Sequence, residues 1–231
     1  MKVVGPYPSI VSIATKTKHE FHKSPGGPKI PRIYGSMKLE RSFYVRDDVV
    51  QISRELLGKV LCSKIDGTVT KALITETEAY AGIGDKASHA WGGRRTKRTE
   101  PMFAEGGIAY VYLCYGIHHL FNVVTGEAGT PHAVLIRAGQ PLEGLRLMQR
   151  RRGNRATENA LLAGPGSLAQ ALGITTKATG ESLLHSRIWI EDHGIAVHQD
   201  MVTQGPRVGV DYAGEDALRP YRFTVALHKS R

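Results

Sequence analysis

Cysteine is scarce in this chain: Cys62 and Cys114 are its only two, both inside apolar runs, and no Cys-x-x-Cys pair occurs. A disulfide-dense scaffold and a cysteine-rich zinc module are thereby excluded. With no secretory leader ahead of them, the two are expected as buried, reduced thiols of a cytoplasmic protein, nucleoid-associated in a bacterium. Long apolar runs are missing as well. Even Ala133–Ala138 is broken by Arg137, far short of the roughly 20 residues that span a bilayer, so no membrane partner is expected. Histidine is plentiful at 10 residues, but no two stand at a ligand spacing with cysteine or carboxylate support, and His118 and His119 would point oppositely on a strand. No metal and no cofactor are expected. Negative charge is in short supply, with 21 acidic residues against 31 lysines and arginines, a net charge of +10. That surplus suits a polyanion, nucleic acid first, although excess lysine also serves plain solubility.

A length of 231 residues suits one domain with a sizeable core. Residues 1–37 mix Pro, Gly, Lys and Ser without periodicity and read as a disordered basic extension. The folded domain is expected over 38–231, with Met37 offering an alternative start at the boundary. Asp47 and Asp48 can cap a helix through Val49, Ile52 and Leu56 that stops at Gly58. Strands are expected at Lys59–Lys64 and Thr70–Tyr80 around an Asp66-Gly67 turn, then a Gly-rich basic loop over Ala81–Arg98 and a helical turn at Thr99–Phe103. Ile108–Cys114 and Ile117–Thr125 form a second hairpin about Tyr115-Gly116, followed by a strand at Ala133–Ala138. Pro141 suits the first turn of a helix over Leu142–Arg152. A helical pair, Glu158–Ala163 and Ser167–Leu172, and short strands at Ile188–Ile190, Arg207–Val210 and Arg222–Ala226 complete the pattern. Helices and strands do not alternate strictly, so the class is α+β: a curved, mostly antiparallel, partly open barrel-like sheet surrounded by helices, with a protruding hairpin.

Strand alternation places Glu76, Glu78 and Tyr80 on one face. Two neighbouring carboxylates resist joint ionisation, and one held as the anion beside a cation such as Arg137 can take a proton from water. Spacing alone fits a solvated strand end equally, and that is the commoner case. Arg94, Arg95, Lys97 and Arg98 crowd a loop beside Gly92-Gly93, where backbone amides can approach an anion; an ordinary flexible basic loop is the alternative. Tyr115 at a turn tip can act as a wedge in a base stack, or fold back onto the sheet like Tyr110 and Tyr112. Asn122 is a buried amide that must find partners, as a structural tie or as a reader of a base.

Taken in order, Glu76-Thr-Glu-Ala-Tyr80, Asp85-x-Ala-Ser-His89, Gly93-Arg-Arg-Thr-x-Arg98, Met102-Phe103, Tyr110-Val-Tyr112, Tyr115-Gly116, Asn122, Leu135-Ile-Arg-Ala138, Pro141-Leu-Glu-Gly144, Gly164-Pro-Gly166 and Arg207-Val-Gly-Val-x-x-Ala-Gly214 resemble the alkyladenine (3-methyladenine) DNA glycosylases from about Glu40 to His228. The resemblance implies a monofunctional, monomeric enzyme that works on damaged purines in double-stranded DNA from the minor groove. It implies that Glu78, with Arg137 and the main-chain carbonyl of Val208, positions the attacking water. Tyr80, His89, Tyr112 and Leu135 would line the pocket for the flipped base, and Asn122 would reject the exocyclic amine of guanine. Tyr115 would fill the gap in the duplex, and Ile117, Arg94, Arg95 and Arg98 would share the DNA contact. Ser167 departs from the pattern, since many relatives carry a lysine after the Gly-Pro turn. Two other functions compete. A glycoside hydrolase would need its carboxylates on opposing elements rather than on one strand; a non-catalytic nucleic-acid-binding module would keep the basic loop and tyrosines and leave the glutamates structural.

Overall fold

The computed structural model describes residues 36–153 and 156–226, so the extension expected over 1–37 lies outside the described residues as far as residue 35. Met37–Lys38 form strand β1, followed by helices α1, Arg41–Tyr44, and α2, Val49–Glu55. Asp48 caps α2 by accepting a hydrogen bond from the Gln51 N–H at 2.8 Å, which satisfies one of the orphan donors of the first turn. Strands β2, Val60–Ile65, and β3, Thr68–Tyr80, meet at Asp66 (φ 52°) and Gly67 (φ 77°). Two consecutive positive φ angles match the right-handed twist of the flanking strands. A second hairpin joins β4, Ile108–Cys114, to β5, His118–Thr125, through Tyr115 (φ 50°) and Gly116 (φ 74°).

Strand β6, His132–Glu143, runs five residues beyond its expected end and takes in Pro141, which the sequence assigns to a helix start. The reason is pairing: Pro141 lies opposite Ala72 at a register shift between Lys71 and Ala72, an irregularity where a missing N–H does least harm to the ladder. Helix α3, Leu145–Arg151, starts only after Gly144. Helix α4, Pro165–Leu172, has proline in its first turn and Gly173 in the left-handed conformation past its end, the asymmetry that starts and stops helices. Of the expected Glu158–Ala163 helix only a single turn, Glu158–Ala160, forms. Strands β7, Ile188–Asp192, β8, Val202–Gly205, and β9, Arg222–Val225, follow; β1 and β8 carry no sequence signal strong enough to predict them. The expected strand at Arg207–Val210 is absent. Its alternating pattern is interrupted by a turn with Gly209 at φ 73°, and Arg207 is diverted into a buried ion pair described below.

All pairings of the sheet are antiparallel, in the order β1-β7-β2-β3-β6-β5-β4, with β9 and β8 joined through β3. Strand β3 is the pivot. Its first half pairs with β2, Glu76–Glu78 in its second half pair with β9, and β6 covers its other edge from Lys71 to Tyr80. Thr75 lies at a register shift between these halves, and a bulge of this kind bends a strand and increases its twist. The sheet therefore curls into a half-barrel. Its inner core is apolar, with Leu61, Leu73, Ile74, Phe121, Val134, Ile136 and Phe223 all buried. Helix α4 seals one face through Leu168, Ala169 and Leu172, and α2 is tied to β3 where Ser53 accepts from and donates to the Thr77 hydroxyl. The molecule is a single α+β domain with a curled antiparallel sheet, as the sequence predicts.

Candidate active site

The register sets one row of side chains across four strands. Glu78 on β3 lies opposite Leu135 on β6, Leu135 opposite Asn122 on β5, and Asn122 opposite Tyr110 on β4. Directly paired residues of antiparallel strands share a face; Glu78 is buried at the end of this row, and Leu135, Asn122 and Tyr110 line a cavity of about 380 Å³. Tyr80, His89, Tyr112, Arg137, Val208 and Tyr212 complete much of its wall.

Glu78 is fully buried. Its Oε1 accepts the Val208 N–H at 2.8 Å and faces Arg137 Nη1 at 3.3 Å, while its Oε2 accepts the Tyr80 hydroxyl at 2.8 Å. Burial raises its pKa, and the pull of Arg137, the Val208 N–H and the Tyr80 hydroxyl offsets only part of that rise. The result is a carboxylate of raised basicity. Glu76, on the same side of the strand, accepts from Nε of Arg137 at 2.8 Å and of Arg222 at 2.7 Å through one oxygen. Val208 thus meets Glu78 through its N–H, whereas the resemblance assigns its role to the carbonyl.

The Val208 turn is held in place by Arg207. The guanidinium pairs with both oxygens of Asp85, donates to the carbonyls of Ala79 (2.9 Å) and Asp216 (3.0 Å), and lies over the Tyr80 ring at 4.9 Å. Both charged side chains are fully buried. Asp85 also accepts the N–H groups of Ala81 and Ala87, and these donors with Arg207 depress its pKa despite its burial. Sequence reasoning gives Asp85 and Arg207 no role. The available signal was their presence in motifs otherwise spent on Glu78, His89 and Val208.

His89 packs edge-on against Tyr112, with ring centroids 4.6 Å apart, and its Nδ1 is 2.9 Å from the Tyr110 hydroxyl. Arg98 Nη2 lies 3.3 Å from His89 Nε2. A guanidinium can only donate, so Nε2 is the acceptor and Nδ1 carries the proton. Burial, helped by Arg98 and Arg94, lowers the His89 pKa to about 4, leaving the ring neutral near pH 7. Asn122 donates both amide hydrogens to main-chain carbonyls, those of Tyr110 (3.1 Å) and Leu120 (3.2 Å).

At the tip of the hairpin Tyr115 is 90 % exposed and Ile117 71 %. The tyrosine does not fold back, and it occupies a left-handed conformation that costs a side-chain-bearing residue about 1–2 kcal/mol. Arg95 is engaged by both oxygens of Glu100 and stacks on Phe103, while Arg94 and Arg98 turn toward a second cavity. Among the described residues no group of three His, Cys, Asp or Glu is placed to hold a metal ion, and no helix is long and apolar enough to cross a membrane.

Comparison with known proteins matches residues 42–229 to the family model described as methylpurine-DNA glycosylase. The chain is 46% identical over 194 residues to "Putative 3-methyladenine DNA glycosylase" of Chlamydia felis, covering 84% of this chain and 98% of that protein. Proteins of the same name from Bacillus thuringiensis and Desulfitobacterium hafniense are each 44% identical, covering 83% and 80% of this chain and 97% and 94% of theirs. The class so defined is a hydrolase of N-glycosyl bonds, a DNA-repair glycosylase. Within that class, this chain belongs to the methylpurine-DNA glycosylase family.

Proposed function

We propose that the chain releases alkylated or deaminated purines, among them 3-methyladenine, 7-methylguanine and hypoxanthine, from double-stranded DNA and leaves an abasic site. What supports this is a buried carboxylate of raised basicity, Glu78, held directly by Tyr80, Arg137 and Val208, three residues that line an aromatic-walled cavity of about 380 Å³. The damaged nucleotide flips into that cavity, at a cost of a few kcal/mol that falls where pairing is already impaired. Glu78 takes a proton from water as the oxygen forms its bond to the anomeric carbon. The bond from that carbon to the purine nitrogen breaks, and its electron pair leaves with the base. An N3- or N7-alkylated purine is cationic, so it departs neutral and stacks well on electron-rich rings; neutral hypoxanthine needs a proton as it leaves.

Arg137, shared between Glu76 and Glu78, holds the general base ionised, and the Val208 carbonyl is proposed as a second anchor for the water. Tyr80, His89, Tyr112 and Leu135 enclose the base, and Asn122, immobilised by two carbonyls, excludes the guanine 2-amino group. Tyr115 and Ile117 enter the duplex from the minor groove, with Arg94, Arg95 and Arg98 on phosphates, and one chain suffices for the reaction. A non-catalytic DNA-binding module is the competing function, and turnover separates the two. Duplexes with one defined lesion should lose the free base with multiple turnovers; binding without release would reject the enzymatic mechanism. Tyr115→Ala should weaken binding to an abasic-site analogue roughly tenfold, the scale of one lost base–aromatic stack, and unchanged affinity would remove the wedge role.

A further inference from the structure

Next to the base cavity lies a groove of about 720 Å³ that shares His89 and Tyr212 with it. Its walls carry three cations, Lys86, Arg94 and Arg98, and, among the described residues, no carboxylate. Glu100 is engaged by Arg95, and Asp216 by the Lys86 main-chain N–H and by Arg219. Two aromatic rings open onto the groove, Trp91 at 47 % exposure and Tyr212 at 70 %. Tyr212 is fixed by a hydrogen bond from its hydroxyl to the Ala87 carbonyl at 3.1 Å. Exposed rings beside cations that form no ion pair with a carboxylate among the described residues suit a ligand with a flat π-face and a phosphate, which is a nucleotide.

We propose that this groove is a nucleotide site for single-stranded DNA, taking the unpaired neighbour of the flipped nucleotide. Its base stacks on Trp91 or Tyr212 and its phosphate lies among Lys86, Arg94 and Arg98. The walls shared with the base cavity make the two sites consecutive along one strand. In intact duplex the neighbouring nucleotide stays stacked and paired and cannot enter. At a gap, a frayed end or a single-stranded stretch it can, and the groove then replaces the grip that the missing complementary strand no longer provides. The placement beside the flipped base rests on the glycosylase function proposed above; the groove's affinity for single strands does not.

Two measurements on the full chain test this. A labelled, undamaged oligo-dT should bind wild type about tenfold more tightly than Trp91→Ala or Lys86→Gln, with Trp91→Phe restoring affinity to about the wild-type value. Excision of a lesion from a single-stranded oligonucleotide should fall by a similar factor in Trp91→Ala, whereas excision from duplex should change by less than about twofold. Unchanged oligo-dT binding, or equal losses on both substrates, would overturn the proposal. Wild type that releases no base yet binds oligo-dT through Trp91 would support the groove and reject the glycosylase mechanism instead.

Discussion

Glu78→Gln is expected to reduce release of 3-methyladenine from duplex DNA by about 10²–10⁴-fold, the span associated with a positioned general base, while affinity for the lesion duplex is retained. Glutamine keeps the shape of the side chain, and its carbonyl oxygen can still accept one of the two hydrogen bonds that Glu78 receives from Val208 and Tyr80. It cannot take a proton from water. Arg137 keeps a carboxylate partner in Glu76, so no uncompensated buried charge is created. The pH dependence gives an independent check. In the proposed mechanism Glu78 acts as the anion, so the wild-type rate should fall as pH falls through its raised pKa, and the residual rate of the glutamine variant should lack that limb. Stability should move the other way. A carboxyl group whose folded pKa is raised costs stability once pH exceeds its unfolded pKa, so near neutrality the variant should melt no lower than wild type. Full residual excision by Glu78→Gln would remove Glu78 as the base.

The parts of this arrangement that were legible in the sequence are those governed by local rules. Period-two alternation grouped Glu76, Glu78 and Tyr80, and the turn pairs Asp66-Gly67 and Tyr115-Gly116 located both hairpins, since positive φ is a local demand. Burial of Glu78 was not legible. It depends on β3 being flanked at that level by β6 and β9 together, and the row from Glu78 through Leu135 and Asn122 to Tyr110 exists only through long-range register. Local rules also misled twice. Pro141 looked like a helix start because proline favours that position, yet tertiary pairing drew it into β6. Arg207–Val210 alternated like a strand, but its arginine is consumed by Asp85, 122 positions away in sequence. No spacing rule connects residues so far apart.

That same pair carries the second large effect expected of a single substitution. Asp85→Asn leaves the Arg207 guanidinium buried without its counter-charge, and breaking a buried ion pair from one side typically costs about 3–5 kcal/mol. A clear loss of melting temperature near pH 7 should follow. In the wild type, the depressed carboxylate of Asp85 contributes stability above its unfolded pKa that is lost as pH falls through its lower native value; the variant should lack this acid-sensitive component. Lower stability alone would mark the pair as structural. Its position argues for more, because Arg207 immediately precedes Val208, whose N–H holds down the pKa of Glu78. If the loosened turn withdraws that donor, the acid limb of the pH–rate profile for 3-methyladenine release moves to higher pH in Asp85→Asn. Asp85→Leu combined with Arg207→Met separates the two roles. Replacing both charges with apolar groups should recover much of the melting temperature, while the limb stays displaced, because the Ala79 and Asp216 carbonyls have lost the guanidinium that tied them to the Val208 turn. A displaced limb in a restored fold identifies Asp85 and Arg207 as positioning residues for the general base; a limb identical to wild type in both variants leaves them a purely structural pair.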